Sequence, residues 1–372
     1  MMNHSRLIPL SALFGIIFLA SCGEQAHTVL YSEKPKSIII PQSTLKTQHN
    51  DTITIAAVGD MMLGTAYPNA WNLPPDSGKN SLKAAEKHLK EADVAFGNLE
   101  GTLVDSGVPI GKKKLKPYSF RMPVKYGGLF KAAGFKMLSI ANNHIDDFGD
   151  QGRKSTAKVL DSIGIYHAGL QIHPTSIFTI NGVKYGFCAF SPNAQVVSFH
   201  DYKGAAQIIK NLKQQVDIVI VSFHGGGEGV GYEHVLCQKE SYIGENRGDV
   251  HAFAHNAIDA GADVIFGNGP HVSRAMELYN KRLIAYSLGN FCTYKNVSVA
   301  GVCGLAPLLK VRLNKKGEFL NGNIISFTQN HNNGLQRDSL NRAVNRIKYL
   351  TEMDFPQSGL TITNAGLIKP VN

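Results

Sequence analysis

From residue 52 onward the chain alternates short apolar runs with amphipathic stretches, and most apolar runs stop at a small cluster of Gly, Asn, Asp or His. Residues 52–58, 93–96, 135–140, 164–168, 217–223 and 263–266 are the apolar runs, short enough to be strands and too continuous for a half-exposed sheet. Between them, 81–91, 123–133, 151–163, 205–215 and 249–259 read as helices. In the first of these Leu82, Ala85 and Leu89 share one face. The second opens on Pro123 and is stopped by Gly134. Segments 176–180 with 183–190, 274–279 with 282–286, and 305–313 with 318–329 read as hairpins, the first turning on Asn181-Gly182. A final amphipathic helix is predicted over 338–353. The alternation predicts an α/β fold with one main domain over 51–330, followed by a C-terminal helix and tail over 331–372.

In open α/β sheets ligands bind beyond the carboxyl ends of the strands. Those ends carry Asp60, Asn98 with Glu100, Asn142-Asn143-His144, His224, His271 and Asn290. Carboxylates, imidazoles and amides gathered on one sheet edge make an oxygen and nitrogen site suited to Mn, Zn, Fe or Mg ions. Each residue alone has a plainer reading. Asn-Asn-His is ordinary turn chemistry, and a lone strand-end His is usually a satisfied structural group. That reading has to hold separately at every strand to account for the whole set.

Composition narrows the partner. The chain has 372 residues, 38 Lys and Arg against 28 Asp and Glu, and a formal charge of +10, which favours an anionic polymer or a phosphate-containing substrate. Part of the excess lies in one loop, Lys112-Lys113-Lys114 with Lys116 and Arg121, whose bland reading is a solvated face. No basic stripe is interleaved with aromatics and no finger or recognition helix is present, so nucleic acid is not expected. There is no G-x-S-x-G elbow, and residues 107–112 fall one short of a P-loop.

The start of the chain bears on compartment. Arg6 precedes a mostly apolar run over 7–20, too short for a stable membrane span, and Leu19-Ala20-Ser21-Cys22 resembles the bacterial lipoprotein cleavage box. The resemblance implies a signal peptide over 1–21, lipidation of Cys22, and an exported protein held at the periplasmic face or cell surface. Residues 22–50, polar and carrying Pro35 and Pro41, then read as a tether. Of Cys188, Cys237, Cys292 and Cys303, the pair Cys292 and Cys303 is the first disulfide candidate, with buried free thiols as the alternative.

The ordered motifs carry a family resemblance. They are Gly59-Asp60-Met61-Met62-Leu63-Gly64, Gly97-Asn98-Leu99-Glu100, Phe120-Arg121-Met122-Pro123, Ala141-Asn142-Asn143-His144, His224-Gly225, Pro270-His271 and Tyr286-Ser287-Leu288-Gly289-Asn290-Phe291. Together they resemble the poly-gamma-glutamate capsule biosynthesis (CapA) family over roughly residues 52 to 295. That family is similar to the calcineurin-like metallophosphoesterases, which implies an αββα sandwich with mixed sheets. Residue by residue, the resemblance implies Asp60, Glu100, Asn143, His224 and His271 as ligands of one or two divalent ions, and His144 as the catalytic His. It places Asn98, Asn142, Asn290 and Arg121 at the substrate. Two departures stand out. Phosphoesterases carry a His two residues after the first Asp, where this chain has Met62, and their last motif supplies two histidines, where residues 267–271 supply only His271. The implied function is metal-dependent hydrolysis within poly-gamma-glutamate capsule biosynthesis or anchoring, alongside capsule-synthesis membrane proteins. The rival is a non-enzymatic scaffold that binds or exports a polyanion.

Overall fold

The apolar runs become strands of two facing sheets. The computed structural model describes residues 52–110, 118–331 and 334–371, all inside one unit spanning His49–Asn372. Residues 1–51, with the expected signal peptide, Cys22 and tether, lie outside the described residues, as do Lys112, Lys113, Lys114 and Lys116.

The first strand, Thr52–Met62, sits in the middle of a ten-stranded mixed sheet. It runs parallel to Val94–Leu99 on one side and antiparallel to Leu305–Asn314 on the other, and its last residues pair parallel with Asn290–Thr293. Met137–Ser139 and Tyr166–Ala168 extend the sheet beyond Val94–Leu99. Phe319–Asn330, Leu367–Pro370 and Leu360–Ile362 extend it the other way. The second sheet has six strands in the order Met276–Tyr279, Arg282–Ala285, Val264–Asn268, Ile218–His224, Val183–Phe190 and Thr175–Ile180. Its four inner strands are parallel and its two edges antiparallel.

Ile218–His224 is buried along its whole length, which explains why its sequence shows no polar alternation. Ile218 and Ile220 join the core between the sheets, whereas Val219, Val221 and Phe223 pack on the other face with Ile209, Phe253 and Ala257. Those last three belong to the helices Tyr202–Lys213 and Val250–Asp259, each capped by a carboxylate: Asp201 accepts from Gly204 N and Asp249 from Ala252 N, both at 2.9 Å. Between the sheets Phe96 stacks on Phe266 with centroids 5.2 Å apart and meets the edge of Phe187 at 5.9 Å. Burying one such ring contributes about 1.5–3 kcal/mol. Leu89, Phe130 and Leu160, from Glu86–Lys90, Gly127–Ala133 and Gly149–Ser162, join the core of the first sheet, completing an αββα sandwich.

Several elements differ from the sequence reading. The helix expected over 81–91 forms only at Glu86–Lys90, because Lys83 N and Ala85 N bond back three residues, to Asn80 O and Leu82 O, in tight turns. The helix expected from Pro123 begins as a 3-10 turn, Val124–Tyr126, before Gly127–Ala133. The hairpin Glu240–Tyr242 with Glu245–Gly248 was not legible, and past residue 330 the chain adds three short strands to the first sheet besides the helix Arg342–Asp354. All four described cysteines are free. The Cys292 thiol donates to Ser81 O at 3.0 Å instead of pairing with Cys303, and Cys237 is exposed.

Residues 286–289 pass from the second sheet to the first so tightly that two glycines are required. A Cβ on Gly59 would stand 1.9 Å from Gly289 O, and one on Gly267 would stand 2.1 Å from Tyr286 O. Gly59→Ala and Gly267→Ala should each lower stability in urea by about 1–3 kcal/mol, the usual cost of overpacking. Gly128→Ala, on a helix with nothing within 4 Å of its Cβ, should leave it unchanged or raise it by up to about 1 kcal/mol. Equal midpoints for Gly59→Ala and Gly128→Ala would refute the tight passage.

Candidate metal centre

Register brings the strand ends together. Asp60 pairs with Asn98 on one side and Asn290 on the other, so three polar side chains of the first sheet leave it at one level. His224 pairs with Asn268 in the second sheet, and His271 follows three residues later. His271 has a φ of +58°, a left-handed conformation that costs on the order of 1–3 kcal/mol in a residue with a Cβ and that recurs at functional sites.

The two sheets meet across these side chains. Asp60 Oδ1 accepts from Asn98 Nδ2 at 2.8 Å, and its Oδ2 accepts from Gly269 N at 3.2 Å and lies 3.1 Å from His271 Nδ1. Glu100 Oε1 lies 3.5 Å from His271 Nε2 and 3.9 Å from both His224 Nε2 and His144 Nε2. One ligand atom each from Asp60, Glu100 and His271 falls within 4.8 Å of the other two. Asp60, Glu100 and His224 are fully buried. Asn143 occupies the turn between Asn142 and His144, half-buried, with its side-chain oxygen inside.

Burial, and then the charge of Asp60, pushes the Glu100 carboxyl up to about 8. Burial acts in the same sense on Asp60, but the His271 hydrogen bond and the His271 and His224 charges outweigh it and hold Asp60 below its usual value. For His271 burial favours the neutral ring, yet Glu100 and Asp60 prevail and raise it to about 10. His224 is driven well below its usual value, by burial first. Neither oxygen of Glu100 and not the Nε2 of His224 has a hydrogen-bond partner. Buried polar atoms of this kind are rare unless something else satisfies them. A carboxylate pair and two imidazoles around such atoms fit a divalent cation, which would satisfy both Glu100 and His224.

His144 stands beside this group. Its Nδ1 is 2.9 Å from Asp147 Oδ2, its ring stacks on Phe120 at 4.0 Å, and Asp147 also accepts from Phe120 N at 2.7 Å. With Nδ1–H donating to the carboxylate, Nε2 is the nitrogen turned towards Glu100.

Asn98 and Asn290, two of the residues expected at the substrate, bond directly to the acid and imidazole groups. Asn98, Asn142 and Asn290 are fully buried. Asn98 Nδ2 also lies 3.3 Å from His224 Nδ1, Asn142 Nδ2 donates to Asn98 Oδ1 and Leu99 O, and Asn290 Oδ1 faces His271 Nδ1 at 3.1 Å. They orient the acid and imidazole groups from behind. The Arg121 guanidinium donates to Gly107 O and Ala66 O and lies over Tyr67 and Phe148, joining two loops.

Sequence reasoning gave no role to Asp147, although the spacing His144-x-x-Asp147 is a signal for it. The glycine-rich run at 225–229 carries no sign in the sequence of being held in place. Residues 225–227 are buried and fastened: Glu240 pairs with both terminal nitrogens of Arg274 at 2.7 and 2.8 Å and accepts from Gly227 N, while Arg247 donates to Gly226 O and pairs with Glu228.

Comparison with known proteins agrees with the motif reading. The family profile described as "Bacterial capsule synthesis protein PGA_cap" matches residues 54–295. The capsule biosynthesis protein CapA of Bacillus anthracis is 27% identical over 267 residues, covering 66% of this chain and 61% of its own length. The PGA biosynthesis protein CapA of Bacillus subtilis is 28% identical over 265 residues, covering 66% and 65%. The match thus spans less than two thirds of each of these relatives. Among solved structures, a 5'-nucleotidase precursor from Thermus thermophilus aligns with a TM-score of 0.41 at 13% identity, covering 74% of this chain and 54% of that one. NAD nucleotidase from Haemophilus influenzae aligns with a TM-score of 0.38 at 12% identity, covering 82% and 63%. With the profile match covering well over half of its 372 residues, and the motifs that carry it converging on one sheet edge, this chain belongs to the bacterial capsule synthesis protein family PGA_cap.

Proposed function

We propose that the protein is a lipid-anchored, metal-dependent hydrolase that acts on an anionic substrate during synthesis, release or anchoring of a poly-gamma-glutamate capsule. The observation that carries this reading is the buried Glu100 carboxylate without hydrogen-bond partners, facing three imidazoles. Asp60, Glu100, Asn143, His224 and His271 would hold the ion. A bound divalent ion would supply Lewis acidity to the reacting phosphoryl or acyl group. Asn98 fixes Asp60 and His224, and Asn290 fixes His271, so the donors are set before the ion arrives. His144 Nε2 gives a proton to the leaving oxygen or stabilises the developing oxyanion, with Asp147 holding the ring from behind. The net charge of +10 draws in the anion. Imidazole donors favour Zn, Fe or Mn over Mg. The rival scaffold reading draws on Met62, buried with Phe120 and Val297 where phosphoesterases place a ligand.

Turnover separates the two. With Mn or Zn and a panel of phosphomonoesters, phosphodiesters and gamma-glutamyl oligomers, His144→Ala should lower the rate on the order of a hundredfold or more while leaving metal content and melting temperature close to wild type. A flat panel with intact polymer binding would establish the scaffold.

The pH dependence of the metal-free protein follows from the site. Glu100 in the folded chain keeps its proton up to about 8, well above the ordinary 4.5, and His271 keeps its own up to about 10. Below about 6.5 the depressed His224 offsets Glu100, and above it the folded state binds more protons than the unfolded one, so stability falls as pH rises from about 6.5 to 10. Glu100→Gln should flatten the lower part of that slope and raise the metal-free urea midpoint at pH 8, while abolishing the stabilisation by added Mn or Zn. A metal-free midpoint that rises across the range would contradict the assignment.

The lipid anchor rests on Leu19-Ala20-Ser21-Cys22. Cys22→Ser should move the protein from the membrane to the soluble fraction and remove the lipid mass. Membrane retention of the variant, with no lipid on the wild type, would sink the proposal.

A further inference from the structure

A second group of metal-binding side chains lies on the outer face of the second sheet. His251 and His255 stand four residues apart on the helix Val250–Asp259 and so project from one face. Glu277, on the edge strand Met276–Tyr279, meets them, and one ligand atom from each of the three lies within 4.8 Å of the other two. His255 Nε2 is 2.9 Å from Glu277 Oε2, and the two imidazole rings are 4.0 Å apart, centroid to centroid. All three residues are half-buried, which leaves an ion a way in.

We propose that His251, His255 and Glu277 form a second metal site, selective for Zn²⁺ and similar ions, that pins the helix Val250–Asp259 to the edge of the second sheet. Two histidines one helical turn apart are how a helix presents two nitrogens to one zinc ion, and a single carboxylate completes three ligands with water as the fourth. The ligands are oriented from behind. Tyr286 OH donates to Glu277 Oε2 at 2.6 Å, His255 stacks on Tyr279 at 3.8 Å, and His251 lies against Phe355 and Tyr286 at 5.9 and 6.2 Å. Burial, then the neighbouring His255, lowers the proton affinity of His251 and so favours the neutral ring that binds metal. Tetrahedral zinc sets its ligand atoms roughly 3.3 Å apart, so the separation closes by small side-chain rotations.

If the three residues formed only a hydrogen-bonded bundle, zinc would change nothing here. The test uses the full chain with Asp60→Ala and His224→Ala, which removes two donors of the first centre. After stripping with chelator, this background should take up about one equivalent of Zn²⁺ in competition with a chromophoric chelator, and its melting temperature should rise by several degrees. Co²⁺ should give the intense visible bands of four-coordinate nitrogen and oxygen ligation. His255→Gln or Glu277→Gln added to the background should abolish the uptake, the bands and the shift. His251→Gln serves as the alternative variant if circular dichroism shows that either of these fails to fold. Uptake below about a tenth of an equivalent in the background, or uptake that survives loss of His251 and His255, overturns the proposal.

Discussion

A carboxylate cut off from water with no donor to either oxygen is among the most expensive groups a protein can bury, and Glu100, so placed, holds its proton up to about 8 instead. The surrounding edge of the fold reads as a response to it. Glu100 follows the strand Val94–Leu99 directly, and its amide donates to Met61 O at 3.0 Å, so the backbone gives it no freedom to swing outward. His271, His224 and His144 converge on one of its oxygens from other segments, and the cation that His271 forms is shared between Glu100 and Asp60. That imidazolium does not suffice to ionise Glu100, which keeps its proton up to about 8. A divalent ion at this edge would take the place of that proton.

That convergence depends on how closely the sheets approach at this edge. Asp60 and Glu100 leave the first sheet, while His224 and His271 leave the second. The segment 286–289 links the two sheets: Leu288 N donates to Gly267 O at 3.2 Å, and Asp60 N donates to Gly289 O at 2.9 Å. Two hydrogen bonds from one short segment thus fix both strand ends to a common point, and the glycines at 59 and 267 are the condition for it. The left-handed φ of His271 belongs to the same geometry. Without that turn, a residue following Pro270 would not bring its ring under Asp60.

What was legible in the sequence follows from the range of the forces involved. A strand buried on both faces must be apolar throughout, so 217–223 could be placed from its own residues, and its terminal polar residue marked a site candidate. The groups that hold the site in place carry no such local signature. Glu240 and Arg274 are 34 residues apart and Arg247 and Glu228 are 19 apart, so nothing short of the folded chain reveals that they fasten the glycine loop. The contacts of Arg121 were hidden for the same reason: a basic residue in a basic loop suggests an anion, and only the fold shows its guanidinium also meeting two carbonyls and two rings. The short hairpins past residue 330 escaped because strands of three or four residues offer too few alternations to read.

Met62 bears on how many ions the proposed centre would hold. The phosphoesterases that the motifs resemble carry a histidine at that position, and here a thioether packs with Phe120 and Val297. Phe120 is the ring on which His144 stacks, and its amide is one of the donors to Asp147. Met62 therefore lends its packing to the platform under His144. With one ion, less positive charge faces the reacting group, and more of the charge stabilisation has to come from a side chain. His144, held by Asp147 on one nitrogen and directed by the other towards Glu100, is the group placed to provide it. A thioether at position 62 and the bracing of His144 thus belong to one packed unit, and a one-ion centre is the form of the proposed hydrolase that fits it.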